Sequence, residues 1–314
     1  MIYFVISLAI LCFVILAVFF ISLACFLRIF YSKKRKPLPQ GEFPLPKGEI
    51  YKEFYGQMID WMKQTQTLPH TEVSIRSFDG LKLCGKYYEY KEGATVEILF
   101  HGYKGSAERD LCGAVYRCFA LGHNALIVDQ RASGKSEGRV ISFGVNESID
   151  CASWVNFVIK NIDADAKIII TGISMGAATV MTAAGRELPK NVVGVLADCG
   201  YTSTKDIVKK VVRDMKLPPD IVYPFARFGA MLFGGFDPDS SSPIEAMKKC
   251  KLPVIFFHGD SDDYVPCYMS EQNFDACASE HKHLVITKGA GHGLCFPKDT
   301  DTYFREVKKF FSYI

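Results

Sequence analysis

By length, 314 residues make about two average domains, yet an α/β fold with inserted helices reaches this size around one core. Lys and Arg at 37 against Asp and Glu at 34 leave a net charge of +3, too little for the basic face that nucleic acid demands, so nucleic acid is excluded as a partner. The 11 cysteines are odd in number, scattered through apolar segments and without a C-x-x-C pair, which argues for free thiols in a reducing compartment and against a disulfide framework or a zinc site.

The chain opens on an apolar run from Ile2 to Leu27, broken only by Ser7, Cys12, Ser22 and Cys25. It exceeds the ~20 residues that a bilayer-spanning helix needs. A cleaved leader would start with a basic segment and end at a small-residue site, and neither is present. Residues 1–31 are therefore read as a single transmembrane anchor. The positive charge lies on its C-terminal flank, at Arg28, Lys33, Lys34, Arg35 and Lys36, so the following domain is expected in the cytoplasm. Residues 32–49 form a basic, proline-rich linker (Pro37, Pro39, Pro44, Pro46), stiffened because each proline fixes its own φ and restricts the residue before it.

A folded domain is expected over residues 50–314. Tyr51, Phe54, Tyr55, Met58, Trp61 and Met62 recur at helical spacing and give one apolar face to pack on that domain. Strand patterns over residues 72–77 and 81–90 flank an Asp79-Gly80 turn, the signature of a hairpin. Further apolar runs at residues 95–100, 125–129, 167–171, 192–198, 253–258 and 283–287 alternate with amphipathic stretches. Buried strands separated by helices imply a mostly parallel sheet covered on both faces, with ligands at the carboxyl ends of the strands.

The chemistry-bearing motifs fall at those ends. Residues 167–171 run into Gly172-Ile173-Ser174-Met175-Gly176 and then an alanine-rich helical stretch, the strand, G-x-S-x-G, helix context that exposes a nucleophilic serine on a tight turn. Ser174 needs a base, and the base needs a carboxylate. Two later strands end in His258-Gly259-Asp260-Ser261-Asp262-Asp263-Tyr264-Val265-Pro266 and in Gly289-Ala290-Gly291-His292-Gly293. Met175 N–H, the first after the nucleophile at a helix N-terminus, is a candidate oxyanion donor. The Gly134-Lys135-Ser136 triplet is not a phosphate loop, since Asp129 stands where the first glycine belongs.

With these motifs the chain from about Val73 onward resembles the α/β-hydrolase family, in its serine esterase and peptidase-like branches. The resemblance implies the α/β-hydrolase fold, and the stretch between Asp198 and Pro253, long enough for two or three helices, is read as a lid at about residues 200–250 over the sheet's carboxyl edge. It implies His292 as base, Asp262 as the acid of H-G-x-x-D, and Tyr103 N–H, in the loop His101-Gly102-Tyr103, as second oxyanion donor. Asp260 and Asp263 compete for the acid's place, whereas Asp198 reads as a strand exit. His258 reads as a structural member of the acid loop. The Asp129 to Gly138 stretch looks like the D-x-R-x-x-G-x-S turn of the same family. No cofactor and no metal is called for.

The leading function is cleavage of a carboxylic ester, with a small-molecule or lipid-like substrate near the membrane. A peptidase, thioesterase or acyltransferase with the same triad is the alternative, and a non-catalytic scaffold the remaining one. Aromatic residues of the insertion, Tyr223, Phe225, Phe228, Phe233 and Phe236, either line an apolar acyl site or form the insertion's own core.

Overall fold

The computed structural model describes residues 1–33 and 41–312; Lys34, Arg35, Lys36, Pro37 and Pro39 of the linker lie outside them. Eight strands form one sheet: β1 (Thr71–Arg76), β2 (Lys82–Tyr88), β3 (Val96–Phe100), β4 (Asn124–Val128), β5 (Ile168–Ile173), β6 (Val192–Asp198), β7 (Val254–Gly259) and β8 (Lys282–Thr287). Their order is β1-β2-β4-β3-β5-β6-β7-β8. The β1–β2 hairpin and the β2–β4 pair are antiparallel, and every pair from β4 to β8 is parallel.

Thirteen α-helices are described with them: α1 (Ile2–Ile29), α2 (Glu49–Lys52), α3 (Tyr55–Thr67), α4 (Ala107–Asp110), α5 (Ala114–Ala120), α6 (Glu147–Asn161), α7 (Met175–Ala184), α8 (Thr204–Asp214), α9 (Pro219–Gly229), α10 (Pro243–Met247), α11 (Tyr268–Ala276), α12 (Cys295–Lys298) and α13 (Thr300–Phe311). A π-helical turn, Ala230–Gly234, continues α9. The helical stretch expected after the linker is broken into α2 and α3, and Met58, Trp61 and Met62 of α3 are buried as the apolar spacing predicts.

Alternation within the strands explains the two covered faces. Val96, Ile98 and Phe100 pack with Trp154, Val155 and Val158 of α6 and with Ala177, Val180 and Met181 of α7. On the opposite face Leu99, Ala125 and Ile127 meet Val115 and Cys118 of α5. Leu196, Ile255 and Phe257 meet α3 and α13 through Met58, Trp61, Val307 and Phe310. This is the α/β-hydrolase architecture, with the helical insertion α8–α10 between β6 and β7.

The apolar helix α1 has the length and composition of a membrane span over its 28 residues. Its last turns are not free of the domain. Ser22, Phe26 and Phe30 are buried, and Phe30 shares a cluster with Met175, Ala178, Tyr201 and Phe236. Helix α9 runs against this part of α1 so closely that a Cβ at Gly229 would stand 2.3 Å from the Ser22 carbonyl oxygen. A short bridge from Tyr31 to Val140 carries the chain off the helix along the domain surface. Because Phe30 is fully buried, Phe30→Ala is expected to cost about 3–5 kcal/mol in denaturant unfolding of the full chain in detergent. An unchanged midpoint would mean that the helix and the domain are energetically separate.

Candidate active site

Ser174 stands between β5 and α7 with φ 56 and ψ −116, outside the regions that ordinary residues occupy. The two flanking glycines leave room for that turn. A Cβ at Gly172 would lie 2.1 Å from the Gly176 backbone, and one at Gly176 would lie 2.0 Å from the Phe100 carbonyl oxygen at the end of β3. The Ser174 amide donates to the Asp198 carbonyl at 2.8 Å, which ties the turn to β6.

The Ser174 Oγ lies 2.9 Å from His292 Nε2, and His292 Nδ1 lies 2.7 Å from Asp262 Oδ2. The other Asp262 oxygen accepts the Tyr264 and Val265 amides at 2.9 and 2.8 Å. His258 Nε2 is 3.2 Å from Oδ2 and 2.8 Å from the Val265 carbonyl, so this buried histidine braces the acid loop. Burial works against ionisation of Asp262, but hydrogen bonds from His258 and His292 outweigh it and hold the carboxyl well below its ordinary range. Asp262 is therefore a fixed negative charge against the imidazole. Its competitors do other things: Asp260 accepts the Gly289 amide at 2.6 Å, pinning the His292 loop, while the Asp263 carbonyl takes the Lys210 ammonium.

The loop after β3 is fastened from three sides. Gln130 N–H donates to His101 Nε2 at 3.0 Å, its side-chain amide donates to the His101 carbonyl at 2.6 Å, and Thr179 of α7 donates to Gln130 Oε1 at 3.0 Å. Asp110 accepts the Gly102 amide at 3.0 Å. The Tyr103 hydroxyl donates to the Ile29 carbonyl at 2.6 Å, and Lys104 donates to the Arg28 carbonyl at 3.0 Å. The loop carrying Tyr103 is thus tied to the last backbone carbonyls of α1. Spacing gave no signal of Gln130 or of these carbonyls; the former sat inside a turn motif and the latter in a membrane-type helix.

A cavity of about 330 Å³ opens beside Ser174, with Tyr103 and His292 in its wall. Its apolar lining comes from Met58 and Trp61 of α3, Leu99, Leu111 and Ala114 around β3 and α5, and Phe296 after β8. No residue of the insertion lines it, so the insertion's aromatics are not an acyl site, and those that are covered pack on α1 and not only on one another. Phe233 packs on Phe19 and Phe26, and Phe236 on Phe30. Two arginines in the wall are each engaged by a carboxylate: Arg117 by Glu97 at 2.5 Å, and Arg109 by Asp110.

Asp198 also lines the cavity, which its reading as a plain strand exit did not anticipate. The Tyr303 hydroxyl donates to it at 3.3 Å. Burial pushes its carboxyl up to about 6, against the opposing pull of His258 and of the Cys295 and Tyr303 hydrogen bonds. Cys199, Asp262 and His292 offer atoms within 4.8 Å of one another, but both hydrogen-bonding directions of His292 are already used by Ser174 and Asp262.

Residues 141–314, more than half of the chain, match the model of the prolyl oligopeptidase family. The uncharacterized protein YqkD of Bacillus subtilis is 30% identical over 252 residues, covering 80% of this chain and 82% of that protein. The protein bem46 of Schizosaccharomyces pombe is 26% identical over 227 residues, covering 71% of this chain and 69% of its own length. Among solved structures, the Pyrococcus furiosus esterase Pf2001 superposes with a TM-score of 0.68 at 20% identity, over 91% of this chain and 98% of that one. At this identity the likeness to Pf2001 speaks for the fold.

The raised Asp198 carboxyl sets a pH dependence of stability. Its folded value lies above the ordinary 3.8, so the stability it contributes is present at acid pH and is lost as pH rises through about 6. Asp198→Asn, which does not ionise, is expected to gain on the parent by about 1 kcal/mol in unfolding free energy between about pH 5 and about pH 7.5. Unfolding curves whose difference is constant across that range would contradict this.

Proposed function

The chain belongs to the prolyl oligopeptidase family, and we propose that it is a membrane-anchored serine hydrolase that cleaves carboxylic esters carrying an apolar acyl group. His292 Nε2, at 2.9 Å, takes the Ser174 proton as Oγ attacks the ester carbonyl. Asp262 holds Nδ1–H and steadies the imidazolium that forms. Negative charge builds on the carbonyl oxygen, and the amides of Met175 and Tyr103 are assigned to receive it. His292 then passes its proton to the departing alcohol, leaving an acyl-serine that water opens by the same route in reverse.

What favours an ester with an apolar acyl group is the cavity, whose wall beside Ser174 is mostly carbon and whose two arginines are already engaged by carboxylates. Lys47 also reaches that wall, so it is the apolar lining, not a lack of cations, that disfavours an anionic group on the acyl chain. The family's name keeps peptide cleavage as the second reading. Burial of Phe26 and Phe30 within the domain favours retention of α1 as an anchor over its removal as a leader, since cleavage would cut away part of a core. The basic flank at Arg28 and Lys33 favours the cytoplasmic side for the domain.

Two kinetic predictions follow from this assignment. Ser174→Ala and Asp262→Asn are each expected to lower kcat/KM on a p-nitrophenyl ester by about 10³-fold or more, with Asp260→Asn far milder; equal losses at both aspartates would remove the assigned acid. Ala114→Phe, which fills the cavity, is expected to lower kcat/KM for an octanoyl ester by about tenfold relative to the acetyl ester. An unaltered chain-length profile would place the acyl group elsewhere. Amide substrates turned over as fast as matched esters would favour the peptidase reading.

A further inference from the structure

Helix α1 and the insertion run side by side in opposite directions. Ile29 packs with Val222 and Tyr223, Ser22 abuts Gly229, and Phe233 stacks edge-on against Phe19 with ring centroids 5.3 Å apart. The π-helical turn after α9 therefore reaches further along α1 toward its N-terminus than any other contact described here. At that level the insertion ends in exposed apolar side chains: Phe228, Met231 and Leu232 are 45%, 50% and 51% exposed. These would be misplaced in water, and nothing in the domain covers them among the described residues.

The length of α1 says what lies at that level. Residues 2–16 are exposed all round, partial cover begins at Ala17, and the first buried residue is Ser22. Residues 2–19 rise about 27 Å, close to the ~30 Å hydrocarbon thickness of a bilayer. Arg28 lies about 13 Å further along the helix than Phe19, on the side where headgroups and water would be. With α1 across the bilayer, Phe19 falls near the edge of the hydrocarbon, and Met231 and Leu232 fall beside it. A π turn with Gly234 and Gly235 lets the chain reverse there, and the acidic groups that follow, Asp237 and Asp239, are neutralised by Arg227.

We propose that residues 228–233 form a second membrane-contacting element, which enters the lipid surface alongside α1 and fixes the catalytic domain against the bilayer. The inference rests on α1 being a membrane anchor and adds to it a defined face of the domain. The Ile29 carbonyl, ten residues beyond Phe19 on the same helix, holds Tyr103 in the cavity wall, so a domain fixed in this way keeps its cavity at a set height from the lipid surface.

The test uses the full chain in phosphatidylcholine vesicles with and without brominated acyl chains. The two native tryptophans, Trp61 and Trp154, are buried in the domain, out of reach of lipid bromines, and give the same background in both lipids. Tryptophan is introduced singly as Leu232→Trp, as Ile10→Trp within α1, and as Phe78→Trp on the distant β1–β2 turn. The expected result is that Leu232→Trp and Ile10→Trp lose the larger part of their added emission in brominated lipid while Phe78→Trp keeps its own. Leu232→Trp at the level of Phe78→Trp overturns the proposal. If Ile10→Trp is then quenched, the anchor reading survives alone; if it is not, the anchor reading falls as well.

Discussion

Everything around Ser174 depends on how little space separates β3, β5 and α7. The nucleophile turn needs Ser174 at a positive φ, a strain on the order of 1–3 kcal/mol, and it persists because Gly172 and Gly176 let the Phe100 carbonyl and the first turn of α7 close on it. That closeness aims Oγ at the carboxyl edge of the sheet, where two loops from later strands converge. The acid loop after β7 is stiffened by His258 and by two amides on Asp262, and the base loop after β8 by Asp260 on the Gly289 amide. Each loop is held by groups other than the pair that meets, so the His292–Asp262 contact is preorganised.

The second constraint comes from the N-terminus. A helix with the sequence of a membrane span continues into the folded domain, and its last carbonyls hold the side chains of Tyr103 and Lys104. Helix α1 and the cavity wall are therefore parts of one packed unit, joined through Phe26, Phe30 and the insertion helix α9. Such a union gives the cavity a fixed height relative to α1, which a flexible tether would not.

The sheet was legible because its strands are short apolar runs punctuated by Gly, Asp and Pro, and their observed limits fall within a few residues of the expected ones. Ser174, Asp262 and His292 were legible because each sits in a motif directly after a strand, and the structure brings all three together. The cavity was not legible. Its lining comes from α3, α5 and the segment after β8, far apart in sequence, and no local pattern reports which side chains share a void. The role of the insertion's aromatic residues stayed open for a related reason: an apolar helical face reads alike as a cavity lining or as a core, and the surface that Phe233 and Phe236 meet is α1. The buried carboxyl of Asp198 escaped because a strand-ending aspartate is ordinarily solvated, and only tertiary packing removes the water.

The central claim is that Ser174 is an activated nucleophile. The most direct measurement is covalent labelling of the full-length chain by a fluorophosphonate, read by intact mass alongside Ser174→Ala. The account predicts one adduct on the parent chain, at Ser174, and none on the variant. A folded parent chain that stays unlabelled, or an adduct that persists in Ser174→Ala, would contradict it.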